Sequence, residues 1–245
     1  TVREHSENTA KLCREYAIPE MKEFMYAVGL LHDCGKFQPA FQRRIAGENI
    51  RVEHSACGAL AARDVYDGIV SLMMEYCIAG HHGGIPDGGT SSDGPEQPTL
   101  YGRMKREFED FSQYKEELEL PDVEPGVFRE FLLRDCEGKI DSIVDKFAFL
   151  TRYAFSCLVD ADSVDTAEFC REGETPRPMN GDFPECLNLV NERLSSFVCE
   201  TSLQKARTQL QQQAFRRAKD DAEIYLLNMP TGSGKTLASA KIALE

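Results

Sequence analysis

Between Pro19 and Gly35, apolar side chains recur at Met21, Phe24, Met25, Val28 and Leu31. Offsets of three and four place them on one face of an α-helix. Pro19 suits a first helical position and Gly35 a stop. His32 follows Val28 by four residues and therefore falls on the same buried face. A polar imidazole in that position needs a partner. The fold must bring one to it.

The same periodicity predicts further helices over about 5–17, 53–66, 69–79, 100–118, 126–135, 138–162, 184–199 and 201–219. Strand signals are sparse until Ala222–Asn228, where Ile224, Tyr225, Leu226 and Leu227 form a short apolar run. Residues 83–98 and 171–184, rich in Gly and Pro, read as loops. The chain is therefore expected to be all-α to about residue 200, ending in a strand, a Gly-rich loop and a helix. The expected domains are 1–200 and 201–245.

A chain of 245 residues, 28% of them charged, can bury a sizeable core and is not disordered throughout. No stretch approaches the ~18 apolar residues of a membrane span, and no leader pattern is present, so a cytoplasmic location without membrane is expected. The nine cysteines form no C-x-x-C pair and read as reduced core thiols. Residues 1–199 carry a net charge of −15 and residues 200–245 carry +2. An anionic substrate in the acidic body needs a local source of positive charge.

The histidines suggest that source. His5 starts the first helix, His32 and Asp33 end the second, His54 opens the third, and His81-His82 stand between Gly80 and Gly83-Gly84 after a fourth. Singly, His5 and His54 read as capping or surface residues. Together, histidines near helix ends can converge in a bundle core. A closing carboxylate is available in the helix over 138–162. Asp162 shares a face with Ile140, Val144, Phe147, Ala154 and Leu158, whereas Asp160 lies about 200° away. Asp165 would return to that face only if the helix continued. Asp160 and Asp165 are taken as surface charge and a C-terminal turn.

His32-Asp33-Cys34-Gly35-Lys36 resembles the HD-x-G-K motif of the HD phosphohydrolase superfamily. With His5, His54-Ser55, Gly80-His81-His82-Gly83 and the segment Phe155–Asp162 followed by Asp165-Thr166, the set resembles the HD nuclease domain of the CRISPR-associated helicase–nuclease of type I interference systems. The resemblance covers roughly residues 5–166 and implies an HD-superfamily helical bundle. It also implies two metal ions sharing Asp33, one with His5, His32 and Asp162, the other with His54, His81 and His82. Imidazole-rich donors suit two divalent transition-metal ions, Mn, Fe, Co, Ni or Zn, better than Mg or Ca. Lys36 is expected to stabilise charge on the transferring phosphate. Ser55 has two readings, a hydrogen bond to a ligand or phosphate and a role at a helix start.

Met229-Pro230-Thr231-Gly232-Ser233-Gly234-Lys235-Thr236 resembles motif I of superfamily 2 helicases. In such a loop the amides at Gly232 and Gly234 cradle phosphates, Lys235 reaches the terminal ones and Thr236 holds Mg²⁺. The sequence runs nine residues past Thr236, too few for the rest of a motor. A fragment of a longer chain is expected, with ATP and Mg bound only by the full-length protein. Lys205, Arg207, Arg216, Arg217 and Lys219 lie on a Gln-rich helix that reads as a solvated linker or a track for DNA. Arg103, Lys105 and Arg106 read as an exposed helix.

The leading expectation is a metal-dependent nuclease cutting single-stranded DNA, recruited by an RNA-guided surveillance complex. An HD-type nucleotide phosphohydrolase and a catalytically silent docking module are the alternatives.

Overall fold

The computed structural model describes residues 1–170, 182–219 and 225–245. The described residues form helices and no strand. They fall into two compact units, Thr1–Thr175 and Pro176–Glu245. No helix among them is long and apolar enough to cross a membrane.

The first unit is a helical bundle. Helix α1 spans Val2–Tyr16 and is started by a capping box between Thr1 and Glu4. Its buried residues Ser6, Thr9, Ala10 and Cys13 follow helical spacing and face α2, Lys22–Leu31. A short 3₁₀ turn, Pro19–Met21, precedes α2, so Pro19 opens the turn rather than the helix itself. The two helices approach closely at Gly29, where a Cβ would lie 2.5 Å from Ala10 Cα. After a second 3₁₀ turn, Cys34–Phe37, come α3 (Pro39–Ile45), α4 (Ser55–Val65) and α5 (Gly68–Gly80). Helix α3 has no counterpart in the sequence expectation.

The region 100–118, expected as one helix, holds only α6 (Leu100–Arg103) and α7 (Tyr114–Glu117). Side chains between them bond elsewhere instead of supporting a helix. Glu109 accepts from the backbone of Ala40 and pairs with Arg43, and Asp110 accepts from Ser112 N. Tertiary partners override helix propensity here. Helix α8 follows at Pro125–Leu133.

Helix α9 runs from Ile140 to Cys170, eight residues beyond the expected end at 162. Its face of Leu150, Thr151, Ala154, Cys157, Leu158, Ala161 and Asp165 is buried, packing against α1, α2 and α5. Ile140 and Val144, expected on that face, are exposed at its beginning. The core of this unit includes the fully buried Phe24, Met25, Leu31, Met73, Met74, Ile78 and Leu158. Each such side chain contributes about 1.5–3 kcal/mol relative to exposure. Cys13, Cys34, Cys57, Cys77, Cys136 and Cys157 are also buried.

In the second unit, α10 (Phe183–Ser195) and α11 (Ser202–Arg217) pack against α12 (Lys235–Leu244). The expected boundary at residue 200 falls between α10 and α11. The strand expected over 222–228 is not seen in its described part, since Tyr225–Asn228 has no regular structure. Residues 222–224 lie outside the described residues, as does most of the expected loop at 171–184. A lone strand has no neighbour to pair with.

Candidate metal centre

Four helix ends and the middle of α9 meet at one point. His5 comes from the first turns of α1, His32 caps the C-terminus of α2, His54 stands at the N-cap of α4, and His81 caps the C-terminus of α5. Asp33 sits at the centre and is 1% exposed. His82 follows His81, and Asp162 reaches in from α9. Helix ends allow this convergence because the chain changes direction there, freeing each imidazole from the apolar packing of its own helix.

The two oxygens of Asp33 face different groups. Oδ2 lies 3.2 Å from His5 Nε2 and 3.3 Å from His32 Nε2. Oδ1 lies 3.5 Å from His54 Nε2 and 3.7 Å from His81 Nε2. Asp162 Oδ1 joins the first group at 3.1 Å from His5 Nε2 and 3.8 Å from His32 Nε2. His82 joins the second, its Nε2 2.7 Å from His54 Nε2. At that separation one ring must donate to the other, or both lone pairs must face a cation.

Ring tautomers follow from the other nitrogens. Nδ1 of His32 lies 2.7 Å from the Gly29 carbonyl, and Nδ1 of His81 lies 2.7 Å from the Ile78 carbonyl. A carbonyl only accepts, so each Nδ1 carries a proton, and in the neutral ring each Nε2 presents its lone pair to the centre. His5 Nδ1 donates to Asp165 Oδ2 at 2.6 Å, with the same result. Asp165, set aside as a terminal charge in the sequence reading, is a buried partner of the site. That expectation rested on a helix ending near 162; the helix continues, and Asp165 returns to the face of Asp162. The signal was its spacing of three residues from Asp162. Asp160 is exposed, as expected.

The electrostatics separate the two groups. Burial works against charge on His5, but the carboxylates of Asp162, Asp33 and Asp165 outweigh it and raise its pKa to about 10. His32 is raised to about 9, burial being outweighed by the charge of Asp33 and by Asp162. Asp33 is held well below the carboxylate range because His32, His5 and His81 outweigh its burial. His54 is lowered to about 4 by burial and by its neighbours His81 and His82, against the opposing charge of Asp33. His82 is lowered for the same reasons, burial first. The carboxylate side thus favours added positive charge, and the imidazole side offers neutral donors.

This donor set fits metal ions. Nε2 of His32, Nε2 of His81 and both Asp33 oxygens are buried without a hydrogen-bond partner. Leaving such groups unsatisfied costs about 1–3 kcal/mol each. The donor atoms of Asp33, His54, His81 and His82 lie within 4.8 Å of one another, as do those of His5, His32 and Asp162. Metal–nitrogen bonds of about 2.0–2.1 Å place neighbouring ligand atoms about 3.0–3.4 Å apart, close to the separations found. Lys36 Nζ is in ion-pair contact with Asp33 Oδ2, outside hydrogen-bond geometry, and remains partly exposed.

A family model described as Cas3, HD domain, matches residues 2–127. The chain belongs to the Cas3 HD-domain family. No curated protein matches the chain. The match takes in His5, His32, Asp33, Lys36, His54, His81 and His82. Asp162 and Asp165 lie beyond it and are placed by geometry. Cas3 HD membership and the His/Asp cluster support an HD-type, metal-dependent phosphodiester hydrolase. They also imply a nucleic-acid substrate, a CRISPR context and divalent metals as cofactors.

The remaining expected residues lie apart from these donors. Ser55 opens α4, donates to Glu53 Oε1 at 2.8 Å and accepts from Arg103 Nη2 at 2.8 Å. These contacts tie Ser55 to Glu53 and Arg103, and no side-chain hydrogen bond caps α4 at His54. Arg103 and Arg106 are not freely exposed, since both pair with Glu53 at 2.9 Å. They are drawn in because Glu53 is half buried and requires partners. Its pKa is lowered to about 2, with Ser55 and Arg103 outweighing burial. Lys105 binds the carbonyls of Ser91 and Asp93. In the second unit, Gly232 and Gly234 adopt positive φ, Lys235 Nζ donates to Met229 O at 2.8 Å, and Thr236 lies in the first turn of α12.

Proposed function

We propose that the chain is a metal-dependent nuclease that cuts single-stranded DNA in type I CRISPR interference. The observation that carries this reading is the division of Asp33, one oxygen toward each donor group. In this reading Asp33, His5, His32 and Asp162 hold one ion, and Asp33, His54, His81 and His82 hold the other. Imidazole-rich donors favour Mn, Fe, Co, Ni or Zn. When bound, such a pair supplies Lewis-acid activation of water and of the phosphodiester.

The chain's own residues do the rest. Asp33 fixes the two donor groups at one separation. The carbonyls of Gly29 and Ile78, with Asp165, fix the tautomers of His32, His81 and His5. Lys36 holds its ammonium beside Asp33, where it can stabilise charge developing on a phosphate oxygen. An RNA-guided surveillance complex is the proposed recruiting partner. Gly232, Gly234, Lys235 and Thr236 are assigned to a nucleotide-driven motor, with ATP and Mg²⁺ as its ligands, and take no part in the hydrolysis.

Circular single-stranded DNA tests the reading. The chain is incubated with Mn²⁺, with Ni²⁺ and with EDTA, beside Asp33→Ala. Linear product that depends on metal and disappears in the variant is expected. Circles left intact by every metal would overturn the endonuclease reading and favour a nucleotide phosphohydrolase or a docking module.

A further inference from the structure

Histidine ligands are ordinarily oriented by a hydrogen bond from the second ring nitrogen. Three of the five histidines have one: His5 to Asp165, His32 to Gly29 and His81 to Ile78. His54 does not. Its Nδ1 is buried without a partner. His54 also stands at the N-cap of α4 without capping it. Glu53 does so instead, accepting from Ala56 N at 3.3 Å. Something other than the ring must hold this side chain.

The residues on either side of His54 are clamped. Arg103 Nη2 donates to Glu53 Oε1 at 2.9 Å and to Ser55 Oγ at 2.8 Å, the residues immediately before and after His54. Arg106 Nη1 takes the other Glu53 oxygen at 2.9 Å, and its Nε donates to Pro95 O at 2.9 Å. The Glu53 carbonyl accepts from Gln38 Nε2 at 3.0 Å. Behind His54 the chain passes so close to Gly35 that a Cβ there would lie 2.2 Å from the His54 carbonyl oxygen.

The helix that carries this arginine also receives the loop that follows the other weakly anchored donor. The ring of His82 bonds only to His54 in the contacts described. His82 begins the long loop that returns to α6, where Leu100 N donates to Asp87 O at 2.8 Å and Tyr101 N donates to Gly88 O at 3.1 Å. Arg103 ends α6 and lines a cavity of about 280 Å³ with Gly83, Gly84 and Asp87. Helix α6, whose last residue holds Glu53 and Ser55, thus also anchors the loop that starts at His82 through its own backbone.

We infer that Arg103, acting through Glu53 and Ser55, is a positioning residue that sets the affinity of the Asp33–His54–His81–His82 group for its metal ion. The inference rests on the two-ion reading above. It goes further by assigning a role to a residue that touches neither ion nor substrate. Loss of the clamp is expected to act on one donor group and spare the other, because the described hydrogen bonds and ion pairs of Arg103 go to Glu53 and Ser55 and none to α1, α2, α9 or His32.

Metal binding to the purified chain decides it, with Co²⁺ as the probe. Calorimetric titration gives the equivalents bound, and visible absorption reports the donor geometry of each. The wild-type chain is expected to take two equivalents. Arg103→Met is expected to keep the first and to bind the second about tenfold to a hundredfold more weakly. Arg103→Lys retains the charge but not the fork that spans Glu53 and Ser55, and is expected to fall between. Helix content by circular dichroism separates positioning from folding. If both variants fold and bind two equivalents like wild type, Arg103 is not a positioning residue. If both equivalents weaken together, its role is structural only. If the wild-type chain takes fewer than two, the two-ion reading fails, and this inference with it.

Discussion

Asp165 Oδ2 lies 2.6 Å from His5 Nδ1, joining α9 to α1 across 160 residues of sequence. The contact orients the ring so that Nε2 points at Asp33 and Asp162. Replacing Asp165 by Asn keeps the size and removes the charge. Asp165→Asn is expected to weaken one Co²⁺ equivalent by about tenfold to a hundredfold and leave the other unchanged, as read by calorimetry. Equal binding in variant and wild type would make the contact purely structural.

Asp33 faces both groups, so its removal is expected to differ in kind from that of Asp162. Asp33→Asn should lose both equivalents together, whereas Asp162→Asn should lose only one. Metal content after dialysis, measured by elemental analysis, tells the two patterns apart. A one-equivalent loss in Asp33→Asn would end its role as the shared ligand.

Lys36 contacts Asp33 Oδ2, where a cation would also bind. Removing its charge should not weaken metal binding and can strengthen it. Lys36→Ala is therefore expected to lower the rate of DNA cleavage by about 10²–10³-fold at full metal occupancy. A fall in occupancy that accounts for the lost rate would contradict this assignment.

The chain packs tightly where Gly35 meets His54. A methyl group at Gly35 must displace the His54 backbone, since its carbonyl oxygen would be 2.2 Å away. Overpacking of this kind costs about 1–3 kcal/mol. Gly35→Ala is expected to lower the melting temperature, and the second metal equivalent should weaken even where the fold survives. An unchanged melting temperature would show that the backbone yields freely there.

Metal removal should be legible in stability. A site filled at 100 times its dissociation constant adds about 2.7 kcal/mol to the folded state. Chelation with EDTA is expected to lower the melting temperature, and returning Mn²⁺ or Ni²⁺ should restore it. Identical melting curves with and without metal would mean that no site is occupied under those conditions.

Much of this arrangement was readable in the chain itself. The apolar period through Val28 placed His32 on a buried face, and His32 is fully buried in the fold. Asp162 was separated from Asp160 by helical angle, and the fold places the first at the centre and the second outside. The losses came where tertiary partners decide local structure. Asp165 was set aside because carboxylates are mostly exposed, and its contact with His5 is made only in the fold. Arg103 and Arg106 looked like solvent charges because their partner, Glu53, is about fifty residues away. The region 100–118 has helical composition, but its side chains are committed to Glu53, α3 and the loop before it. The apolar run at 222–228 has strand composition, but no described neighbour to pair with.

The donors also differ in when they exist. His82 is translated eighty residues before Asp162. A chain emerging from the ribosome therefore carries all of Asp33, His54, His81 and His82 while α9 is still unmade. One donor group is complete in sequence before the long helix is made; the other takes Asp162 from that helix.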